Sequence, residues 1–121
     1  MECTSELDEE SGICTLSVRG DFVRPKDAFE IERITADLYV ERRCRLFLVD
    51  MTDARIVART MDTFDSSNPP AELRVALRKV RVASLYPELT EDHRFLEDVA
   101  VNRGFQLRVF DNRNKAVNWL A

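Results

Sequence analysis

The sequence predicts an α/β fold with a mixed β-sheet, in which an N-terminal antiparallel hairpin precedes parallel strands joined by crossover helices. Three observations predict it. Two short strand patterns flank a polar turn at residues 8–12. The continuous apolar run Leu46–Val49 follows a helical pattern, as expected of a strand covered on both faces. The last segment combines a glycine helix stop, an alternating strand and a capped helix, which is a βα unit.

The first half of the chain supplies the hairpin, one helix and the central strand. The predicted elements are strands over residues 2–7, 13–18 and 46–49 and an amphipathic helix of about four turns that starts near Pro25. The pattern predicts that the second strand ends at Gly20-Asp21 and that the central strand ends at Asp50.

The second half alternates helices and strands. The predicted elements are a short helix within residues 54–64, a helix from Ala71 to about Lys79, a strand over 80–86, a helix capped by Thr90 and stopped by Gly104, a strand over 105–109 and a last helix capped by Asp111 or Asn112. Crossovers between parallel strands are almost always right-handed, so we expect these helices to cover the sheet.

Length and composition limit the classes of protein to which the chain can belong. The 121 residues predict a single domain over residues 1–121, and the 45% hydrophobic content is enough to build a core without a disulfide or metal. No apolar run is long enough to predict a membrane-spanning helix. A net charge of −4 argues against general binding of nucleic acid, which usually needs a basic excess.

The cysteines and the N-terminal residues predict a cytoplasmic location. Cys3, Cys14 and Cys44 are odd in number and widely spaced, which is typical of reduced thiols. The first residues contain neither the basic nor the apolar region of a signal peptide.

Three segments carry a resemblance to a known family. They are Ile13–Gly20, the apolar strand that ends in Asp within Arg45–Ala54, and the tail from Phe95 to Leu120. In these segments and in element order the chain resembles the STAS-like, SpoIIAA-like domains, which share features with the lipid-binding SEC14 fold. The resemblance implies a small bacterial cytoplasmic module without enzymatic activity. Its best-understood relatives are anti-sigma-factor antagonists, which act by protein–protein contact.

The resemblance also implies a phosphorylation switch. In the relatives, one Ser or Thr lies in a short Asp-Ser-Ser-Gly-like loop at a helix N-terminus. The segment from Asp65 to Asn68 is similar, with Asn68 in place of glycine, a greater distance from the strand and two prolines after it. Ser66 is therefore one candidate, and Thr52, directly after the predicted strand, is an equal one. Turn and capping roles explain this segment equally well.

Acidic side chains gather near the predicted end of the central strand. Ligands of open α/β sheets bind at this edge, so Asp50 and Asp53 are candidates for a ligand or partner site. Hard cations prefer carboxylate oxygens, but no spacing here defines a metal site, and we expect neither a metal nor a cofactor. Solvation of the loop and helix capping are the alternative roles.

Basic and aromatic residues supply the remaining candidates. Arg74, Arg78 and Arg81 could dock an acidic partner or a lipid headgroup, or simply form a solvated surface. The single histidine, His93, excludes multi-histidine zinc sites and is expected in the first turn of a helix. Trp119 is expected to pack the closing helix onto the sheet.

Two functional hypotheses follow. The first is a non-enzymatic regulatory module that acts through a protein partner, with a homodimer as one form of that partnership. The second is a small-molecule or lipid-binding domain of the SEC14-like kind, in which the helices within residues 54–64 and 71–79 line a groove. No catalytic group of residues supports an enzyme.

Overall fold

Five strands and four helices make up the parts of the chain that the structure, a computed structural model, describes, namely residues 1–57 and 69–121. The strands are β1 (Glu2–Asp8), β2 (Ile13–Val23), β3 (Leu46–Val57), β4 (Arg81–Leu85) and β5 (Gln106–Phe110). The helices are α1 (Lys26–Arg42), α2 (Ala71–Leu77), α3 (Glu91–Asn102) and α4 (Arg113–Leu120).

The strands form one mixed sheet in the order β1-β2-β3-β4-β5. β1 pairs antiparallel with β2, with Leu7 opposite Cys14. The other three pairings are parallel. The predicted fold class is therefore confirmed, with a hairpin at one edge and helical crossovers in the rest.

Two strands are longer than the sequence predicted. β2 continues through Gly20 to Val23, and β3 continues beyond Asp50 to Val57. The predicted strand ends were wrong because the extended parts pair with each other in parallel, up to Val23 opposite Val57. The predicted helix within residues 54–64 is likewise wrong for 54–57, and its remainder lies outside the described residues.

A β-bulge separates the two parts of this long pairing. Ser17 lies opposite Asp50, but Arg19 lies opposite Asp53, so β3 contains one extra residue. A bulge of this kind changes which side chains point to a given face. As a result, the later positions Ala54 and Ile56 pack against the same core cluster as Val49 and Met51.

The two faces of the sheet are covered differently. We call the side under α1, α2 and α3 the three-helix face and the side under α4 the one-helix face. The core of the three-helix face includes Leu16, Phe47 and Val49. Leu48 and Ala83 alternate with these residues along the strands and pack with Leu120 of α4 on the other side. Successive residues of a strand therefore pack into two separate cores, one on each face of the sheet.

Local signals fix several helix ends as predicted. Thr90 caps α3 in a reciprocal arrangement, since its hydroxyl accepts the His93 N–H and His93 Nδ1 accepts the Thr90 N–H, each at 3.3 Å. Gly104 has a φ of +89° after the end of α3, a conformation that favours glycine. Of the two predicted caps of α4, Asn112 is the one used, because its side chain accepts the Lys115 N–H at 3.1 Å.

Candidate functional site

A cavity of about 120 Å³ lies between the three-helix face of the sheet and the helices that cover it. Its lining is mostly apolar. The residues that line it from the helices are Ala28, Ile31, Glu32, Thr35, Leu77, Leu96 and Ala100, and those from the strands include Phe22, Val49, Met51, Val82 and Leu107. We call it the inner cavity.

A second and more polar space adjoins the inner cavity. This outer cleft has a volume of about 440 Å³ and is lined in part by Glu88, Thr90, Asp92 and His93 at the start of α3. The two spaces share three lining residues, which are Arg24, Met51 and Tyr86. These three side chains therefore mark the junction between an apolar interior and a polar mouth.

Arg24 is the most unusual side chain at this junction. It is only 5% exposed, and its Nη2 donates a hydrogen bond to the Tyr86 hydroxyl oxygen at 3.1 Å. Its Nε is buried and has no hydrogen-bond partner. In the ranges that the structure describes, the recorded ion pairs are Arg33 with Glu72 and Arg113 with Asp50, so Arg24 is a buried cation without a paired carboxylate.

Backbone structure places Arg24 at this point. β2 ends at Val23, and α1 begins at Lys26, so Arg24 lies in the short connection between them. Its backbone N–H donates to the Val57 carbonyl at 3.1 Å, which ties the connection to the end of β3. The guanidinium also lies 5.8 Å from the centre of the Phe22 ring, within the range of a cation–π contact.

His93 completes the junction from α3. Its ring stacks on the Tyr86 ring, with the ring centres 3.7 Å apart and an angle of 14° between the planes. Burial, followed by the positive charge of Arg24, lowers the pKa of His93 below its ordinary value. The lowered pKa favours the neutral imidazole at pH 7, and the positive charge at the junction is that of Arg24.

Glu32 is the second polar group that the apolar lining encloses. Its Oε2 is buried and has no hydrogen-bond partner. Burial raises the pKa of Glu32 to about 8. At pH 7 the carboxyl group is therefore mostly protonated, and it can donate as well as accept a hydrogen bond inside the cavity.

Arg24, Tyr86 and Glu32 were not among the residues that the sequence predicted for a site. A signal existed for Glu32, because it stands next to Ile31 and one helical turn after Ala28, at the border of the predicted buried stripe. Arg24 was hidden because β2 and β3 were both expected to end earlier, so no pattern placed residue 24 beside the end of β3.

Asp50 and Thr52, two of the predicted site residues, meet at the bulge. The Thr52 N–H and hydroxyl donate to Asp50 Oδ1 at 3.0 and 2.6 Å, and the Arg113 guanidinium donates to Oδ2. Burial acts to raise the pKa of Asp50, but these hydrogen bonds and the positive charge of Arg113 outweigh it and lower the pKa below its usual range. Asp53 does not join the group; it is exposed and lies opposite Arg19.

The other predicted phosphorylation candidate, Ser66, lies outside the described residues. Its proposed role therefore stays a prediction. Thr52 is exposed, so its hydroxyl is accessible from solvent, although it is already a hydrogen-bond donor to Asp50.

The three predicted docking arginines do not share one surface. Arg74 Nε donates to the Pro69 carbonyl at 2.9 Å. Arg78 lies 5.1 Å from the centre of the Phe105 ring at the three-helix face, whereas Arg81 lies 4.3 Å from the centre of the Trp119 ring. Trp119 belongs to α4, so Arg81 is on the opposite side of the sheet from Arg78.

Trp119 packs as predicted. Its ring lies 5.9 Å from that of Phe110, and it contacts the core of the one-helix face.

The three cysteines are free, with Cys14 and Cys44 in the core of the three-helix face. Burial, followed by the neighbouring Cys44 thiol, raises the pKa of Cys14 to about 11, so this thiol is protonated at neutral pH.

The described ranges contain neither a cluster of metal ligands nor a helix that could span a membrane. No group of three or more His, Cys, Asp or Glu side chains there could hold a metal ion. Within residues 1–57 and 69–121, no helix is long and apolar enough to cross a membrane.

Comparison with solved structures identifies the fold. The chain is similar to an uncharacterised DUF3478-family protein with a SpoIIAA-like fold from Shewanella loihica PV-4, with a TM-score of 0.59 and 13% identity over 99% of this chain and 93% of that one. It is also similar to the unphosphorylated form of the anti-sigma factor antagonist SpoIIAA, with a TM-score of 0.54 and 10% identity over 98% of this chain and 96% of that one. Neither a family model nor a curated protein matches the sequence.

The similarity extends over nearly the whole chain in both comparisons, so the protein has the SpoIIAA-like α/β fold. The resemblance that the sequence predicted is confirmed at the level of this fold.

Proposed function

We propose that the chain is a non-enzymatic binding module that takes a small molecule with an apolar body into the inner cavity. The observation that carries the proposal is an apolar cavity of about 120 Å³ whose lining includes Arg24 and Glu32, each with one buried polar atom that has no hydrogen-bond partner, Nε and Oε2 respectively. Concave, mostly apolar spaces with a few polar groups are the usual form of a small-molecule site.

The cost of leaving this space unfilled supports the proposal. Protein interiors are normally close-packed, and an empty cavity costs about 24 cal/mol per Å³ in core-truncation experiments. For a cavity of about 120 Å³ the upper limit is roughly 3 kcal/mol, because the space adjoins the outer cleft and water can enter it. Unsatisfied buried polar groups add about 1–3 kcal/mol each. A ligand that fills the cavity and bonds to these groups would offset both costs.

A neutral apolar probe tests this proposal. We expect 1-octanol to bind the native protein in NMR titrations, with shifts concentrated on cavity-lining residues such as Leu96. A larger side chain at Ala100, which is buried and lines the cavity, should abolish binding in Ala100→Leu. Val101 is next in the helix and 54% exposed, so Val101→Leu is the matched control and should bind normally.

Native mass spectrometry of the freshly purified protein gives a second readout. Extra mass that disappears on denaturation would show a ligand carried through purification. The proposal fails if the native protein carries no ligand and 1-octanol leaves the resonances of the cavity residues unchanged.

A second candidate function is regulation through a protein partner in the bacterial cytoplasm, including a second copy of the chain. The similarity to the anti-sigma factor antagonist SpoIIAA favours it. Thr52 adds support, since it is exposed and its hydroxyl donates to Asp50, which also bonds Arg113. A phosphate on this hydroxyl would repel the Asp50 carboxylate and disturb its contact with Arg113, as a switch requires. Ser66 is the other candidate, and Asp53 and the docking arginines (Arg74, Arg78, Arg81) are candidate partner contacts.

Intact mass after denaturation tests this second function. A mass increase of one phosphate, mapped to Ser66 or Thr52, would support a switch, and Thr52→Val with Thr4→Val as a matched control would separate the sites. Two results would count against this function. One is an unmodified chain that stays monomeric at all concentrations. The other is a partner that binds equally well when Asp53 is changed.

A further inference from the structure

The position of Arg24 points to the chemical class of the ligand. Arg24 lines both the inner cavity and the outer cleft. A ligand with its apolar body in the inner cavity would therefore place its exit end against the guanidinium. This inference rests on the proposed binding function and adds the identity of the group at that end.

The electrostatics of the junction favour an anion there. Burial of an unpaired charge is costly, and a buried arginine is normally paired with a carboxylate or phosphate. In the described ranges, Arg24 has one hydrogen-bond acceptor, the neutral Tyr86 hydroxyl, and its Nε has none. Guanidinium groups bind carboxylates through two parallel hydrogen bonds, and the arginine edge that includes Nε is well shaped for this.

The charges of the groups around Arg24 favour a ligand with a single negative charge. The His93 ring stacks on Tyr86, and its Nδ1 accepts the Thr90 N–H at the cap of α3. His93 therefore brings no negative charge to Arg24. Glu88 lines the outer cleft, and in the described ranges it forms no recorded ion pair with Arg24. Its negative charge would oppose a ligand with several anionic groups in the cleft, which favours a single anionic group held at the junction.

The volume of the inner cavity limits the size of the apolar body. An engineered cavity of about 150 Å³ in another protein binds benzene. The inner cavity, at about 120 Å³, is of comparable size. An apolar body of about six carbons, as one ring or a short chain, fits this space, and a slightly longer chain reaches through the junction into the outer cleft. Long acyl chains and large polycyclic molecules do not.

We propose that the pocket binds a small amphipathic monocarboxylic acid, with its carboxylate on Arg24 and its apolar body in the inner cavity. Glu32 faces the body from α1 and, being largely protonated at neutral pH, does not repel the anion. It also offers a hydrogen bond to a polar substituent on the body. The Tyr86 hydroxyl, already bonded to Arg24, is placed to donate to the carboxylate as well.

Matched acid and alcohol probes test the assignment. Octanoate and 1-octanol share the same chain length and differ in the charged group, and both are titrated at pH 7 by calorimetry. We expect octanoate to bind at least about tenfold more tightly than 1-octanol, a modest gain for a charge-assisted bidentate contact. In Arg24→Met, which keeps the length of the side chain, the preference should disappear while 1-octanol binds within about twofold of the native value.

The control and the alternative outcomes separate the two proposals. Arg94 is exposed on α3, so Arg94→Met removes a positive charge without touching the pocket and should keep the preference for octanoate. Equal binding of the two probes by the native protein, or a preference that survives in Arg24→Met, overturns the carboxylate assignment and leaves the binding function standing. If neither probe binds, both proposals fail.

A measurement on the native chain covers the case in which Arg24→Met does not fold. The side-chain Nε–H of Arg24 has no acceptor in the structure, so its NMR resonance should move strongly when octanoate binds and little when 1-octanol binds. Octanoate binding that leaves this resonance unchanged would place the carboxylate elsewhere and overturn the assignment.

Discussion

The two faces of the same sheet are packed to different degrees by the helices that cover them. On the one-helix face, α4 packs directly on β3, β4 and β5, with Leu48, Ala83 and Leu120 almost completely buried. On the three-helix face, α1, α2 and α3 leave the inner cavity between themselves and the strands. Both described spaces, the inner cavity and the outer cleft, belong to this side.

Side-chain size and helix placement explain the difference. Ala83 and Ala116 are fully buried on the one-helix face, and these small residues let α4 approach the sheet closely. On the three-helix face, the small residues Ala28, Ser84 and Ala100 all line the inner cavity. One face of the sheet is therefore closely packed, and the other contains the space on which the proposed binding function rests.

Removal of a buried leucine from each face should have the largest and most unequal effects. Leu120→Ala should destabilise the protein by about 3–5 kcal/mol, since a fully packed side chain leaves a new void. Leu77→Ala should cost about 2 kcal/mol, because Leu77 already borders the inner cavity and has fewer contacts to lose. Urea unfolding at pH 7 measures both values. Equal losses would mean that the two faces are packed equally well.

Glu32→Gln should change how stability depends on pH. Burial raises the pKa of Glu32 to about 8, while an unfolded glutamate titrates near its ordinary value, so the native state binds the proton more tightly. The stability that this proton supplies is complete below about pH 4.5 and is lost as the pH rises towards about 8. The full shift corresponds to at most about 5 kcal/mol, and water entering the cavity should reduce it to about 2–3 kcal/mol.

The measurement compares the native protein and Glu32→Gln in urea at pH 5 and pH 8. We expect the variant to gain stability relative to the native protein at pH 8 and to lose that advantage at pH 5. Contributions from His93 and other groups are common to both chains and cancel in the difference. Glu30→Gln changes an exposed glutamate on the same helix and should show no such trend. A difference that does not vary with pH would place Glu32 in contact with solvent.

The contrast also separates what the sequence could predict from what it could not. The apolar run at Leu46–Val49, the cap at Thr90 and the glycine stop at Gly104 are local signals, and the structure confirms each. The alternating strands and the element order define the SpoIIAA-like fold. These features depend on neighbours in sequence and therefore leave a readable pattern.

The bulge and the cavity depend on distant neighbours and leave a weaker pattern. The extra residue in β3 shifts the alternation after Met51, so that Ala54 and Ile56 were interpreted as part of a helix. A shift of the alternation by one residue at that point would have predicted a continuing strand. No local rule predicts that a cavity remains between the sheet and α1, α2 and α3, so the roles of Arg24 and Tyr86 could not be predicted.

Larger side chains on adjacent residues of β4 should discriminate between the faces directly. Ala83 and Ser84 are neighbours in one strand, are both buried and point to opposite sides. Ala83→Val should cost about 1–3 kcal/mol, because the added methyl groups have no space under α4. Ser84→Val should stay within about 1 kcal/mol of the native protein, because its methyl groups enter the inner cavity. Equal costs in thermal and urea unfolding would contradict the presence of open space on the three-helix face.

The smallest expected effect lies at the edge of the one-helix face, where Arg113 of α4 bonds to Asp50 of β3. The Arg113 side chain is 52% exposed and that of Asp50 is 15% exposed, so solvent screens much of the attraction. We expect Arg113→Met to lose about 0.5–1 kcal/mol at pH 7 and low salt. Lys115 is exposed in the same first turn, so Lys115→Met controls for the loss of a positive charge near a helix N-terminus and should lose nothing.

The pH dependence of this loss identifies its origin. Burial opposes ionisation of Asp50, but the hydrogen bonds from Thr52 and the charge of Arg113 dominate and lower its pKa. A carboxyl group with a lowered pKa stabilises the folded state above its ordinary pKa, and this stability is lost as the pH falls through the lowered value. The difference between the native protein and Arg113→Met in urea unfolding should therefore shrink in acid and at high salt. A loss that persists under both conditions would mean that Arg113 fixes α4 by packing its methylene groups, and that the one-helix face is held by contact alone.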